Sequence, residues 1–307
     1  MEKQYWLTMS DHHSVFVTHW YDEHCQPKAI LQLAHGMAEH ILRYRDFANF
    51  LVQNQIFVVG NDHRGHGQTG QKSGLLGYFA ENNGFSRVID DLNEVNQHIR
   101  EEYPNTPIII MGHSMGSFLV RGFLQRYHGK VSGAILSGTG GNPGLLGKIG
   151  KWIAKSQVKK LGKKTVSPLM NKLTFSSYNK KLTDVQTTVD WLSRDRKEVQ
   201  KYQEDPLCGF IPTTGFFYDL LDGVEVIHRK EEMSKMDKSV PILFFSGDHD
   251  PVGRNAKGVQ EVISDYKKLG IVDIDYIFYK EGRHEMLNEI NRDEVYQDVL
   301  SWINKTI

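Results

Sequence analysis

Short apolar runs alternate along this chain with segments whose apolar residues recur every three or four positions. Runs of the first kind predict buried strands, and segments of the second predict helices lying over them. Ser14-Val15-Phe16-Val17-Thr18-His19-Trp20 predicts an early strand, in a hairpin with Tyr5 to Met9. Further strands are predicted at Ala29 to Leu33, Ile56 to Val59, Pro107 to Met111, Val131 to Leu136, Val240 to Phe245 and Ile274 to Phe278. Between them, Phe85, Val88, Ile89, Leu92, Val95 and Ile99 fall on one helical stripe. Val259, Val262, Ile263, Tyr266 and Leu269 form another. Strands and helices in alternation imply an α/β architecture, a mostly parallel sheet of about eight strands with helices on both faces.

The rhythm breaks between Gly138 and about Pro212. Gly140-Gly141-Asn142-Pro143-Gly144 is a turn-rich exit from the sheet, and Leu145 to Lys181 holds ten lysines and no acidic residue. This block reads as a helical cap inserted after the sixth strand. It divides the chain into a first core segment (1–137), a cap (138–212) and a second core segment (213–307). On a helix starting near Leu145, Leu145, Ile149, Trp152, Ile153 and Leu161 gather on one side. Lys148, Lys151, Lys155 and Lys159 step along another. Two readings stay open: a cap helix packed on the core with a solvated lysine face, or a basic amphipathic helix lying in an anionic membrane interface. A helix kept only for solubility would commonly mix signs for i, i+4 pairing.

Composition narrows the classes. With 39% hydrophobic residues and 28 glycines in 307, the chain is an ordinary globular sequence with room for a sizeable core. No apolar run approaches the roughly 18 residues of a membrane span, and the N-terminus lacks the apolar stretch of a signal peptide. Two cysteines far apart in sequence, Cys25 and Cys208, suggest neither a disulfide framework nor a metal site, so a cytoplasmic setting is the expectation. Zero net charge removes nucleic acid as an obvious partner.

The candidate chemistry begins at Gly112-His113-Ser114-Met115-Gly116, which follows the strand Pro107 to Met111 and precedes a helical segment. G-x-S-x-G between strand and helix is the nucleophile elbow, whose sharp turn lifts the serine hydroxyl clear of the sheet. A serine becomes a nucleophile when a histidine takes its proton and a carboxylate orients that histidine. In the chain order that goes with this elbow, the acid and then the histidine follow on loops after late strands. His284, in Gly282-Arg283-His284-Glu285, stands just past the last predicted strand. For the acid, Asp248 and Asp250 compete in Ser246-Gly247-Asp248-His249-Asp250; Asp250 lies further from the strand end, and the other would be a turn carboxylate. The oxyanion needs preorganised backbone donors. These are the amide of Met115, after the nucleophile, and that of Met37 in His35-Gly36-Met37. Gly36 and His113 are the expected substrate contacts. Asp62, His63, Arg64 and His66 read as a loop pinned by hydrogen bonds, and Glu39 and His40 as braces for the oxyanion loop.

These motifs together resemble the monoacylglycerol lipase and lysophospholipase branch of the α/β-hydrolases, the serine aminopeptidase-like group. The residues that carry the likeness are His35-Gly36-Met37-Ala38-Glu39-His40 with Arg43-Tyr44, Asp62-His63-Arg64-Gly65-His66-Gly67, the elbow, Gly247-Asp248-His249-Asp250-Pro251-Val252 and Gly282-Arg283-His284-Glu285. The resemblance places the acid three residues after the glycine, which is Asp250. It implies hydrolysis of a small-molecule monoacyl ester, a monoacylglycerol or a lysophospholipid, through an acyl-enzyme, with no cofactor and no metal. A short-chain carboxylesterase or an aminopeptidase-type hydrolase is the alternative. A non-catalytic binding protein on the same fold is the remote one.

Overall fold

The computed structural model describes all residues from Met1 to Ile307. Eight strands build one sheet: β1 (Glu2–Thr8), β2 (Ser14–Trp20), β3 (Ala29–Ala34), β4 (Ile56–Asn61), β5 (Ile108–His113), β6 (Gly133–Ser137), β7 (Ile242–Gly247) and β8 (Ile274–Tyr279). Their spatial order is β1-β2-β4-β3-β5-β6-β7-β8. β2 runs antiparallel to β1 and β4, and every later pair is parallel. Parallel neighbours need crossovers, and the helices supply them.

The helices are α1 (Arg45–Gln53), α2 (Gly67–Ser73), α3 (Gly84–Glu102), α4 (Met115–Arg126), α5 (Gly144–Leu161), α6 (Pro168–Phe175), α7 (Arg196–Glu204), α8 (Thr214–Ile227), α9 (Lys230–Met233), α10 (Lys257–Lys268) and α11 (Arg292–Thr306). Successive strand residues face opposite sides of the sheet, so each central strand feeds two cores. Ile110, Leu136 and Phe244 join α3, α4, α8 and α10 in one cluster. Ile109, Met111, Ile135, Leu243 and Phe245 join α1 and α11 in the other. That is why the central strands read as nearly unbroken apolar runs.

Four helices, α5 to α8, fill the excursion between β6 and β7 ahead of the short α9. The α8 helix, started by the Thr213 side chain accepting from Phe216 N at 3.2 Å, packs on α3 and α4 as part of the core. Against it lies α5, and here the side chains depart from expectation. The stripe of α5 turned inward is mostly small: Ala154 is fully buried, Gly147, Gly150 and Val158 are half-buried, and Ile153, expected with Leu145, Ile149 and Trp152, is half-buried against the core. Large apolar residues point outward instead, with Leu145 73%, Leu146 80% and Trp152 71% exposed. Close approach of two helices favours small residues at the contact, so the bulky ones take the other face. Of the expected lysine row, Lys148, Lys155 and Lys159 are exposed. Lys151 is not free: it pairs with Asp222 at 2.6 Å and Glu225 at 2.9 Å on α8.

Candidate active site

The parallel strands deliver their C-terminal ends to one edge of the sheet, where ligands of such folds bind. Ser114 follows β5 directly, at φ +52° and ψ −119°. A non-glycine residue there is strained, and the surrounding structure must hold it. Its amide donates to Ser137 O at 2.9 Å, and α4 starts at the next residue. The flanking glycines are sterically required. A Cβ at Gly112 would sit 2.3 Å from the Gly116 carbonyl oxygen, and one at Gly116 would sit 2.1 Å from that of Ala34.

His284 arrives from the loop after β8 and Asp250 from the loop after β7, both buried. His284 Nδ1 lies 2.9 Å from Asp250 Oδ1, off the straight N–H···O line. Burial alone would depress the imidazole; Asp250, with Glu285 and Glu39 behind it, outweighs that and raises its pKa above the ordinary value. The ring sits between His113, at 4.7 Å between centroids, and Trp191, at 4.9 Å. His113 donates to or accepts from Ser137 Oγ at 3.1 Å, and burial lowers its pKa to about 4, so it is neutral beside its neighbour. The competing Asp248 is half-buried and accepts from the Glu281 amide at 2.7 Å, as a turn carboxylate does.

Ser114, His284, Met37, Met115, Gly36 and His113 line one cavity of about 230 Å³. As the first residue of α4, Met115 presents an N–H with no partner inside the helix. The Met37 loop is held by Glu39, whose Oε1 accepts from Gly36 N at 2.5 Å and from the Tyr44 hydroxyl at 2.8 Å. Phe118 of α4, Leu220, Leu221 and Val224 of α8, and Phe175 and Trp191 of the inserted segment give the cavity an apolar side, while Glu39, Glu285 and Thr174 also reach its wall.

A buried clamp that the individual motifs did not reveal joins the Gly36–Glu39 loop to the loop that carries His284. Arg43 donates to Glu39 Oε2 at 2.6 Å and to both oxygens of Glu285 at 2.7 Å. Burial would raise the Glu285 pKa, but Arg43 prevails and holds it down at about 2. The i, i+4 spacing of Glu39 and Arg43 was the visible signal; their partner is 242 residues away. The inserted segment also grips the histidine loop: His284 N donates to Trp191 O at 3.3 Å, and Glu285 N donates to Leu192 O at 2.7 Å. In the Asp62 loop, Asp62 accepts from Ile41 N and Gln68 N at 2.8 and 2.7 Å, and Arg64 forks onto Asp91 at 2.6 and 2.9 Å.

The sheet order, the elbow on β5 and the helical excursion before β7 are those of an α/β-hydrolase. Within that fold, the chain belongs to the serine aminopeptidase S33 family, whose model matches residues 25–291. The monoacylglycerol lipase of Mycolicibacterium smegmatis is 29% identical over 284 residues, covering 90% of this chain and 88% of that protein. The monoglyceride lipase of Mus musculus is 27% identical over 307 residues, covering 98% of this chain and 90% of the relative. A thermostable carboxyl esterase from Bacillus coagulans, solved in complex with glycerol, superposes with a TM-score of 0.92 at 26% identity, over 99% of this chain and 98% of that one. No helix is long and apolar enough to cross a membrane.

Proposed function

We propose that this chain is a serine hydrolase of monoacyl esters, a monoacylglycerol or a lysophospholipid, working through an acyl-enzyme on Ser114. The observation that carries the reading is one cavity that joins the elbow serine and the buried Asp250–His284 pair to an apolar wall fit for an acyl chain. His284 removes the Ser114 proton as Oγ attacks the ester carbonyl. Charge then develops on the carbonyl oxygen, where the amides of Met37 and Met115 are the donors. Asp250 holds the imidazole and stabilises the imidazolium. His284 returns the proton to the departing alcohol, and water repeats the sequence to free the acid. Gly36 and His113 wall the substrate. Residues 138–212 form the lid, with Trp191 and Phe175 on the acyl side.

Peripheral attachment to anionic membrane accompanies this reading. Leu145, Ile149 and Trp152 share the outer face of α5, flanked by Lys148, Lys155 and Lys159, the arrangement of a helix lying in a lipid interface. The correction is Lys151, which serves α8 rather than lipid.

A fluorophosphonate should label Ser114 alone, and Ser114→Ala should lose on the order of 10⁶ in turnover while remaining folded. A panel of a monoacylglycerol, a lysophospholipid, nitrophenyl esters of varied length and an aminoacyl anilide should show the monoacyl lipids turned over fastest. Preference for the anilide, or labelling of another serine, overturns the assignment.

A further inference from the structure

Beside the oxyanion loop, three side chains from distant parts of the sequence converge. His40 Nε2 lies 2.8 Å from Asp205 Oδ2, and their donor atoms and Cys208 Sγ all fall within 4.8 Å of one another. We propose that His40, Asp205 and Cys208 bind a thiophilic divalent cation of the zinc class, which would pin the inserted segment to the oxyanion loop.

The donor set is of the right kind. Imidazole nitrogen, carboxylate oxygen and thiolate sulfur are the ligands zinc takes, and three of them leave the fourth tetrahedral position to water. Zinc–nitrogen and zinc–oxygen bonds of about 2.0–2.1 Å and a zinc–sulfur bond of about 2.3 Å place tetrahedral donors roughly 3.3–3.6 Å apart. The existing cluster reaches that spacing by opening the His40–Asp205 contact by about half an ångström and turning the Cys208 side chain. Asp205 Oδ1 already accepts from Leu207 N at 2.8 Å, which orients the carboxylate and leaves Oδ2 for the ion.

Charge and access agree with a dication. Burial, with Asp205, Glu39 and Glu285 behind it, pushes the Cys208 thiol up against the pull of Arg43, so the ion must itself displace the thiol proton. His40 and Asp205 open onto a polar surface cleft of about 580 Å³, so an ion has an entry path. The cleft carries Asp46, Glu198, Glu204 and Asp205 along with Arg43, Arg45 and Lys201. As the sulfur–metal bond forms, the thiol releases its proton to solvent, and His40 donates the lone pair of a neutral ring.

The consequence reaches the reaction site. Ala38 is left-handed at φ +54°, between Met37 and Glu39. Its carbonyl accepts from Gly209 N at 2.9 Å and from the Tyr202 hydroxyl at 3.0 Å. An ion on His40, Asp205 and Cys208 adds a fastener between the same two segments. In the sequence this cluster is hidden, because residue 40 meets 205 and 208 only through the fold.

The test titrates the full, chelator-stripped chain with cadmium and follows the ultraviolet thiolate-to-cadmium charge-transfer band. One ion per chain is expected, with a raised thermal midpoint. Cys208→Ala should abolish the band, and Asp205→Asn should weaken binding by more than the roughly 10–100-fold that outer-shell partners contribute. Cys25→Ala should behave as the parent. A band that survives in Cys208→Ala and disappears in Cys25→Ala overturns the site. X-ray absorption of the zinc-loaded parent needs no variant: one sulfur in the coordination shell supports the site, and none sinks it.

Discussion

Arg43 grips Glu285 through two parallel 2.7 Å bonds, and Glu285 is the residue directly after His284. The same guanidinium holds Glu39, which anchors the amide of Gly36. One buried cation therefore fixes the His284 loop and the Gly36–Glu39 loop relative to each other. Two carboxylates without it would face each other unpaired in a dry environment, where an uncompensated charge is expensive.

Arg43→Met should accordingly destabilise the fold by about 3–5 kcal/mol, the usual loss when one partner of a buried ion pair is removed. Glu285→Gln keeps the shape, leaves the Glu39 pairing intact and should cost less. Urea melts of the two variants give the ranking. Midpoints in both variants equal to the parent's would mean that the clamp holds no more than an ordinary surface pair.

Asp250→Asn should lower turnover by about 10⁴, because an amide can favour the wrong imidazole tautomer and cannot stabilise the imidazolium. Asp248→Asn keeps an Oδ1 that can still accept from Glu281 N, so its turnover should stay within a few-fold of the parent. Single-turnover kinetics with a soluble ester separate the two. The reverse ranking would move the acid to Asp248.

Sheet and elbow were legible because their causes are local. Strands buried on both faces must be apolar runs, and the elbow needs glycines where Gly112 and Gly116 meet backbone. The order of elbow, acid and base is likewise carried by strand ends. What stayed hidden depends on contacts across the fold. Periodicity placed Leu145, Ile149 and Trp152 on one side of α5 but could not say which side meets α8. Burial of Ala154 and the pairing of Lys151 with Asp222 and Glu225 mark that side. Likewise, no spacing rule ties Arg43 to Glu285 or His40 to Asp205.

Stability should fall steeply as the pH drops below about 6.5. Burial lowers the folded pKa of His63 to about 3 and those of His66 and His113 to about 4. Between those values and 6.5 the unfolded chain binds protons that the native chain refuses, so unfolding gains with acid. Each such histidine contributes at most roughly 1.4 kcal/mol per pH unit. His284 has the opposite sign: its raised pKa stabilises the fold below about 6.5 and that gain is lost as the pH rises through the folded value. Glu285, held at about 2, contributes above its ordinary 4.5 and loses that contribution as the pH falls toward 2. His66 packs among Phe79, Phe210 and Phe216, so His66→Phe keeps a ring there and removes one titration, at the loss of the Nδ1 contact with Arg64 O. Denaturation midpoints from pH 7 to 4.5 should show a shallower slope in the variant. An unchanged slope would remove His66 from the acid response.

The lysines of α5 should divide into two kinds. Lys148, Lys155 and Lys159 are exposed beside the outward apolar stripe, while Lys151 is engaged by Asp222 and Glu225. A lysine near an anionic surface contributes about 1 kcal/mol, so replacing the three exposed ones with glutamine should weaken vesicle binding by roughly 100-fold at moderate salt. Lys151→Gln should leave binding unchanged and loosen the contact between α5 and α8. Trp152→Ser should also release the protein, because it removes the largest apolar side chain from the exposed face. Hydrolysis of a short soluble ester should persist in all of them, since none of these residues lines the catalytic cavity. Cosedimentation with anionic and neutral vesicles reads the difference directly. If the triple variant and Trp152→Ser both bind anionic vesicles as the parent does, the outward face of α5 is not the membrane contact.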